Sequence, residues 1–319
     1  MIKIGMIGTG IISDCHFRAI SELDDVSLVA ISEINEDRAR DVSEKQNVPY
    51  YLDYKLMCLN EDIDAVIINL PHFLHAEATV YCLNRGIHVL CEKPMANSVD
   101  ECELMINASK KSNAKLAIGH IQRFFPSNII VKEFIDNKKL GKLTMINEVR
   151  NEFYFSKSRP GWFLKKELSG GGIVMNFAAH SIDKVLSLVG GEITNVSASC
   201  GNIYNDYNVE GHAQINFNVG GVPCSVSLCG YKTYPENVTT YTFTDGAIRV
   251  RYGCVEIYNN ETKKFEEYKS STEYPYHFTH QLSEFIKLIR EEENISTDGY
   301  YSKRIIETIE KIYASSGIN

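Results

Sequence analysis

Apolar residues in the first 120 positions form short continuous runs that alternate with stretches of helical periodicity. These runs predict strands at 2–7, 26–31, 64–69, 87–91 and 115–119. The stretches between them predict helices at 11–23, 35–46, 74–85 and 98–112. Because a run such as Ala65-Val66-Ile67-Ile68 is apolar on both faces, we predict helices on both sides of a parallel, doubly wound sheet of the Rossmann type.

After about residue 120 the pattern becomes that of an α+β domain. Helices are predicted at 126–137 and at about 172–189, and strand patterns dominate 193–270. Apolar and polar residues alternate from Val209 and Glu210 to Asn218, which predicts a half-buried strand with Glu210 on its polar face. Gly220-Gly221 and Asp245-Gly246 supply hairpin turns. We therefore predict a large, mostly antiparallel sheet with helices on one side.

Two further helices are predicted near the end of the chain, each with an apolar stripe that favours packing in a core. The stripes consist of Phe278, Leu282, Phe285, Ile286 and Ile289 in one helix, and Ile305, Ile309, Ile312 and Tyr313 in the other. We predict two domains in the 319 residues: a nucleotide-binding domain at 1–120 and a substrate-binding and oligomerisation domain at 121–319. In this division the C-terminal helix can pack back on the first domain.

Charge and composition narrow the class of partner. The net charge is −8 and the basic residues are scattered, which argues against nucleic acid or an acidic membrane surface as partner. No run approaches the roughly 18 apolar residues of a membrane span. The apolar N-terminus is too short and glycine-broken for a signal peptide. We expect a cytoplasmic protein with a small-molecule ligand, and nine cysteines that remain reduced thiols.

A glycine loop, Gly8-Thr9-Gly10-Ile11-Ile12-Ser13, joins the first predicted strand to the first helix. In dinucleotide-binding folds the first glycine makes the turn, and the second lets the backbone approach the pyrophosphate at the helix N-terminus. Glu33 follows the second strand, where an acidic residue binds the ribose hydroxyls. Its carboxylate would repel a 2′-phosphate, so NAD is favoured, while Arg38 on the next helix leaves NADP open.

Four longer motifs resemble those of the Gfo/Idh/MocA oxidoreductase family, and the likeness covers nearly the whole chain. They are Leu70-Pro71-His72-Phe73-Leu74-His75, Gly86-Ile87-His88-Val89-Leu90-Cys91-Glu92-Lys93-Pro94, Gly119-His120-Ile121-Gln122-Arg123-Phe124-Phe125-Pro126 and Asn176-Phe177-Ala178-Ala179-His180-Ser181-Ile182-Asp183. The last departs from the family's Asp-x-Gly-x-His-x-x-Asp, with Asn176 for the first aspartate and Ala178 for the glycine. Trp162 and Gly170-Gly171-Gly172 also stand where the family has them.

The resemblance implies hydride transfer between a nicotinamide and a secondary alcohol, with Lys93, His180 and Asn176 as catalytic residues. Lys93 follows a parallel strand at the sheet edge where ligands bind, beside a Lys–Pro bond that the family tends to hold cis. Asn176 and His180 are four apart and therefore share a helix face. Because an amide cannot accept the proton, we assign that duty to His180 and Lys93, with Asp183 either orienting the imidazole or serving packing.

The resemblance also assigns binding residues. The expected cofactor contacts are Gly8, Gly10, Ile11, Ile12, Glu33, Asn69, Pro71, His72, His75, Glu92, Lys93 and Arg123. The expected substrate contacts are Lys93, Arg123, Trp162, Asn176 and His180, although Arg123 and Trp162 also suit an interdomain salt bridge and a core aromatic. We predict no metal site, since the sequence has no paired ligand spacing.

Three functions are compatible with these residues. The favoured one is an NAD(P)-dependent dehydrogenase of a sugar, an inositol or a related polyol. The others are an NAD-dependent glycosidase that oxidises its substrate transiently, and a non-catalytic sensor of dinucleotide. Because Lys93 and His180 are both present, the sensor is disfavoured. The family's sheet domain implies a homodimer or homotetramer.

Overall fold

The structure is a computed structural model that describes residues 1–204, 206–292 and 297–317. The strands, in chain order, are β1 (Ile2–Ile7), β2 (Val26–Ser32), β3 (Tyr50–Tyr51), β4 (Ala65–Ile68), β5 (His88–Cys91), β6 (Leu116–Ile118), β7 (Leu143–Asn151), β8 (Ile193–Gly201), β9 (His212–Val219), β10 (Val222–Cys229), β11 (Glu236–Phe243), β12 (Ala247–Arg251), β13 (Cys254–Asn259) and β14 (Lys264–Glu267). The helices are α1 (Ser13–Ser21), α2 (Glu36–Gln46), α3 (Tyr54–Asn60), α4 (His75–Leu83), α5 (Val99–Ser112), α6 (Pro126–Asp136), α7 (Lys166–Ser169), α8 (Ala179–Val189), α9 (His277–Ile289) and α10 (Gly299–Ser315).

These elements form two compact units. The first comprises Met1–Ile121 and Pro275–Arg304, and the second comprises Gln122–Tyr274 and Ile305–Asn319. Helix α9 thus belongs to the first unit, and the residues of α10 are divided between the two. No helix in the described part of the chain is long and apolar enough to cross a bilayer.

The first unit contains a six-stranded sheet in the order β3-β2-β1-β4-β5-β6, in which every pair is parallel. The order reverses direction between β1 and β4, which is the switch point of a doubly wound sheet. The Rossmann prediction is therefore confirmed. Two predicted helices begin at side-chain caps: Asn35 accepts from Arg38 N–H, and Ser98 accepts from Glu101 N–H.

The second unit contains an eight-stranded sheet in the order β14-β13-β12-β11-β7-β10-β9-β8. Its strands pair antiparallel except for β7 and β10, which are parallel neighbours in the middle of the sheet. The mostly antiparallel sheet is thus confirmed. Gly220 and Gly221 have positive φ values of 55° and 84° and form the two-residue turn between β9 and β10.

The expectation for Glu210 was wrong. Strand β9 begins only at His212, so Glu210 precedes the strand and does not lie on its polar face. Its side chain is 5% exposed because its carboxylate is used inside the unit as a hydrogen-bond acceptor. The alternation beyond this point is as predicted, with Ala213 and Ile215 buried and Gln214 exposed.

A buried polar cluster attaches α8 to the sheet. Lys184 Nζ lies 2.9 Å from Glu148 Oε2 and donates to Thr239 Oγ1, while Ser181 Oγ donates to Glu148 Oε1. Lys184 and Glu148 are 7% and 4% exposed, so this ion pair has little solvent around it. Because breaking a buried pair strands a charge, the cluster fixes the register of α8 on β7 and β11.

Candidate functional site

The glycine loop between β1 and α1 has the shape that a dinucleotide requires. Gly8 has φ +85°, and a Cβ there would lie 2.8 Å from the Asn69 carbonyl oxygen, so both conformation and space require glycine. A Cβ on Gly10 would meet no atom within 4 Å, which leaves the backbone open on that side. Ile12 provides no side-chain cap, and Ile11 is 87% exposed. The loop and the uncapped N–H groups of α1 therefore fit a pyrophosphate.

Glu33 lies directly after β2 with its carboxylate held in place. Its Oε2 accepts from the Thr9 hydroxyl at 2.9 Å and from Thr9 N–H at 3.2 Å, and its Oε1 accepts from Asn35 N–H at 3.0 Å. Burial by itself would raise the pKa of Glu33, but these hydrogen bonds and Arg38 outweigh burial and lower the pKa. Glu33 therefore remains an anion at neutral pH, beside the loop that carries Gly8 and Gly10.

The segment after β4 places Asn69, Pro71 and His72 at the carboxyl edge of the parallel sheet, as the motif predicts. The Asn69 amide nitrogen lies 3.5 Å from the Gly8 carbonyl oxygen, so this segment contacts the glycine loop. His75 is completely buried, with one ring nitrogen 2.8 Å from the Leu70 oxygen and the other 2.8 Å from the Pro94 oxygen. His75 thus ties the segment to the Lys93–Pro94 turn rather than presenting its ring to a ligand.

The Glu92-Lys93-Pro94 turn follows β5, and its Lys93–Pro94 peptide bond is cis. Glu92 Oε1 lies 2.9 Å from Nε2 of the buried His16, and Glu92 Oε2 accepts from Lys93 N–H at 3.2 Å. Burial by itself would raise the pKa of Glu92, but His16 and Lys93 outweigh burial and lower the pKa. The Glu92 carboxylate therefore holds the backbone of Lys93, and the Lys93 side chain is half-buried at the sheet edge.

In the second unit, Arg123 forms an ion pair inside the unit. Its Nη2 lies 3.3 Å from Oδ1 of Asp183, which is completely buried on α8. Asp183 therefore anchors Arg123 inside the second unit, a contact that neither of its two predicted roles included. The Arg123 side chain is 15% exposed, so only a small part of it is accessible.

Asn176 and His180 lie where a π-helical turn, Val174–Ala178, leads into α8. Asn176 is 8% exposed within the π turn, and His180 is half-buried in the first turn of α8. The predicted α-helical start of this segment is thus replaced by a wider turn, and such turns occur frequently at functional sites. The two residues still belong to one continuous helical segment, as predicted.

Glu210 and Tyr313, which the sequence did not single out, hold the start of this helix. Glu210 Oε1 accepts from the N–H groups of Gly172 and Val174 at 2.8 Å each and from the Tyr313 hydroxyl at 3.0 Å. A Cβ on Gly171 would lie 1.9 Å from the Tyr313 hydroxyl, and one on Gly172 would lie 2.2 Å from the Glu210 carbonyl oxygen. The glycine triplet is therefore required for close packing against these two residues.

Two aromatic contacts in the second unit involve the Asn176 turn and the predicted substrate contact Trp162. The Tyr154 ring packs edge-on against Phe177, the residue that follows Asn176, with ring centroids 5.4 Å apart. Trp162 stacks on Phe163 with ring centroids 3.8 Å apart, in a short turn that precedes α7. Tyr154 was missed because no motif marks it: it becomes relevant only through its contact with Phe177, beside Asn176.

Two family models match the chain. One, described as an oxidoreductase family with an NAD-binding Rossmann fold, covers residues 2–120, and the other, described as the GFO/IDH/MocA C-terminal domain, covers residues 129–249. The chain belongs to the Gfo/Idh/MocA oxidoreductase family. The resemblance seen in the sequence motifs is thus confirmed, and so is the prediction of an NAD-binding domain.

Curated relatives match over part of their length. A 1-carboxy-3-chloro-3,4-dihydroxycyclohexa-1,5-diene dehydrogenase of Comamonas testosteroni is 33% identical over 57% of this chain and 46% of the relative. A myo-inositol 2-dehydrogenase of Thermotoga maritima is 29% identical over 62% of this chain and 58% of the relative. The matches thus span about half the length of these relatives.

A solved structure shares the fold over the whole chain. The aldose-aldose oxidoreductase of Caulobacter crescentus, complexed with glycerol, has a TM-score of 0.90 at 21% identity. The alignment covers 99% of this chain and 97% of that chain. Within the described residues, no group of three or more His, Cys, Asp and Glu side chains is arranged to hold a metal ion.

Proposed function

We propose that the protein is an NAD-dependent oxidoreductase that interconverts a secondary alcohol and a ketone on a sugar, an inositol or a related polyol. The observation that carries this proposal is the position of Lys93, directly after β5 at the carboxyl edge of an NAD-binding sheet. Ligands of open parallel sheets bind at this edge, near the switch point between β1 and β4. The named relatives, a dehydrogenase of a dihydroxylated ring and one of an inositol, support a cyclic polyol as the substrate class.

The proposed roles follow from the chemistry of the side chains. Bound NAD supplies the hydride acceptor or donor. Lys93 and His180 take and return the hydroxyl proton, because each has a nitrogen that can exchange a proton and Asn176 has none. Asn176 orients a substrate hydroxyl through its amide. Gly8, Gly10, Ile11, Ile12, Asn69, Pro71 and His72 bind the dinucleotide, together with Glu33.

We also propose that NAD is preferred to NADP. The Glu33 carboxylate is anionic and buried, and Thr9 and Asn35 hold it in place. An anion in this position hydrogen-bonds to ribose hydroxyls and repels a 2′-phosphate. Arg38 does not reverse this preference, because its side chain is 52% exposed and lies 3.5 Å from Glu33 itself.

The test is a screen of monosaccharides and inositols for reduction of NAD⁺ and NADP⁺, in which the absorbance of the reduced nicotinamide is measured. The corresponding ketones are screened in the reverse direction. Lys93→Ala should lower kcat/KM by roughly 100-fold or more, the upper range for loss of a general acid or base. Lys111→Ala is the matched control, because Lys111 is exposed at the end of α5.

Absence of a Lys93-dependent signal with every polyol and both cofactors would refute the proposal. Release of an aglycone from a glycoside without net NADH would instead identify a glycosidase. Binding of NADH without turnover of any polyol would identify a sensor.

A further inference from the structure

Arg159 is a half-buried arginine in the second unit, and no described residue forms an ion pair with it. Its Nε donates to the Tyr154 carbonyl oxygen at 2.7 Å, and its guanidinium carbon lies 4.1 Å from the centroid of the Tyr154 ring. It also lies 5.0 Å from the centroid of the Phe163 ring. Across the described ranges, no carboxylate comes within ion-pair distance of Arg159. The neighbouring Glu152 attracts its charge from a longer distance and itself pairs with Arg150 at 2.7 Å.

The environment of Arg159 favours an anionic ligand. Burial lowers the pKa of Arg159, which means that the cation is partly desolvated. Arginine stays protonated in proteins even so, and charges removed from water are normally paired. The Nε–H and the ring faces of Tyr154 and Phe163 fix the plane of the guanidinium. No described residue bonds to its two terminal nitrogens, which form the planar fork that matches a carboxylate.

Tyr154 connects Arg159 to the turn that carries Asn176, the proposed substrate-orienting residue. The guanidinium of Arg159 lies over the face of the Tyr154 ring, 4.1 Å from its centroid. The same ring packs edge-on against Phe177, the residue that follows Asn176, with ring centroids 5.4 Å apart. Arg159 and the turn that carries Asn176 therefore contact the same aromatic ring.

From this arrangement, and resting on the proposed function, we infer that the substrate is an acidic polyol whose carboxylate is bound by Arg159 while Asn176 orients a ring hydroxyl. A uronic acid, a six-membered sugar ring with a carboxylate at one end, has this chemistry. The cations next to Arg159 along the chain are less suited to the role: Arg150 already pairs with Glu152, and Lys157 is exposed.

The single tryptophan of the chain allows binding to be measured apart from turnover. Trp162 stacks on Phe163, the ring that Arg159 also covers, so a ligand at Arg159 should change its fluorescence. The full chain with NAD⁺ is titrated at constant ionic strength with D-glucuronate and D-galacturonate, and with the neutral sugars D-glucose and D-galactose. We expect each acid to bind roughly 10- to 100-fold more tightly than its neutral counterpart, the usual range for charge-assisted hydrogen bonds.

Variants assign this preference to the guanidinium. Arg159→Gln should abolish the preference for the acids, and Lys157→Ala, a neighbouring exposed cation, should leave it unchanged. Arg159→Lys keeps the charge but loses the planar fork, so the preference should fall several-fold without disappearing. If circular dichroism shows that Arg159→Gln does not fold, Arg159→Lys alone tests whether the guanidinium binds the carboxylate.

Equal binding of acids and neutral sugars would overturn the inference, and so would a preference that survives unchanged in both Arg159 variants. A loss in Lys157→Ala as large as in Arg159→Gln would also overturn it. The outcome is separable from that of the proposed function. Lys93-dependent oxidation of neutral polyols without a preference for acids refutes only the carboxylate site. Arg159-dependent binding of a uronate without any NADH formation supports the site and refutes the oxidoreductase.

Discussion

Glu33 is the residue on which the proposed preference for NAD over NADP depends. Its carboxylate is 7% exposed yet remains ionised, because Thr9 and Asn35 donate hydrogen bonds to it. The ribose hydroxyls of NAD can donate to such an anion, whereas the 2′-phosphate of NADP would meet a like charge. The proposed discrimination between NAD and NADP therefore rests on a single residue beside the glycine loop.

Replacing Glu33 tests this role directly. Glu33→Gln should reduce the ratio of kcat/KM for NAD⁺ to that for NADP⁺ by roughly 10- to 100-fold, because it removes a buried charge that pairs with the ribose. Steady-state kinetics with both cofactors measures the ratio. Glu44→Gln, which changes an exposed glutamate on α2, should leave it unaltered. An unchanged ratio in Glu33→Gln would show that another residue sets the preference.

Among single residues, the motifs predicted the positions of side chains that lie at the ends of strands. Lys93 and Glu33 follow buried strands, so their positions at the sheet edge follow from local pattern alone. Glu210 and Arg159 could not be predicted in this way. Their surroundings come from residues far along the chain, such as Gly172 and Tyr313 around Glu210, or from the way a loop folds over Tyr154.

At the scale of elements, the turn after β5 depends on a buried carboxylate. Glu92 contacts His16 and the N–H of Lys93, and these contacts lower its pKa below the ordinary value of 4.5. A carboxylate with a lowered folded-state pKa stabilises the fold above its unfolded pKa, and this stabilisation is lost as pH falls through the folded value. The turn should accordingly lose stability in acid.

This dependence can be measured against a neutral variant. Glu92→Gln should lower the free energy of unfolding by about 1.5–3 kcal/mol at pH 7, because it removes charge-assisted hydrogen bonds. The difference between wild type and variant should shrink as pH falls below 4.5, the ordinary carboxyl value. Urea unfolding of both proteins across this range provides the measurement. A difference that stays constant with pH would mean that Glu92 is not a stabilising anion.

Glu210 stabilises the start of the helix that carries Asn176 and His180. Glu210→Ala would leave two N–H groups and the Tyr313 hydroxyl without their acceptor inside the unit, at a cost of about 2–5 kcal/mol. Glu210→Gln keeps a carbonyl oxygen in place and should cost about 1 kcal/mol. Thermal unfolding measures the stability of each variant. The kcat of the variants that fold shows whether Asn176 is still held in place.

Tyr313→Phe removes one of the three donors to Glu210 and should resemble Glu210→Gln in stability. If Glu210→Ala were as stable and as active as wild type, the helix start would be held by other contacts.

Element prediction succeeded where apolar runs were long and failed where they were short or interrupted. Strand β4 and helix α5 lie within three residues of their predicted bounds. Strand β3 has only two residues, too few for any pattern, and was missed. Strand β7 was missed because its buried Glu148 interrupts the apolar alternation, and only the distant Lys184 explains a carboxylate in that position.

At the scale of the whole molecule, the prediction of a homodimer or homotetramer concerns the large sheet. One face of β9 carries the buried residues Ala213, Ile215 and Phe217, and the other carries the exposed residues Gln214 and Asn216. The family resemblance implies that this second face pairs between subunits. Light scattering coupled to size exclusion should show a dimer or tetramer, and Gln214→Arg with Asn216→Arg should shift it toward the monomer. A monomeric wild type would refute the prediction.

The division into domains at 1–120 and 121–319 stays a prediction. The two compact units divide the chain by geometry and do not test which residues bind nucleotide or substrate. The compact units differ from it in placing Pro275–Arg304 with the first. No local pattern could have assigned α9, whose apolar stripe predicts burial but not the surface that it covers. The buried His16 packs edge-on against Phe278 of that helix, with ring centroids 5.0 Å apart.

The proposed reaction is hydride transfer from a polyol carbon to NAD⁺, dependent on Lys93. An isotope measurement follows that hydride directly. The polyol that gives the strongest signal in the screen is prepared with deuterium on its ring carbons and incubated with NAD⁺ and the full chain. Mass spectrometry of the nicotinamide should then show one deuterium in each NADH formed, with formation nearly absent in Lys93→Ala and normal in Lys111→Ala. Unlabelled NADH, or labelled NADH formed equally well by Lys93→Ala, would contradict the claim.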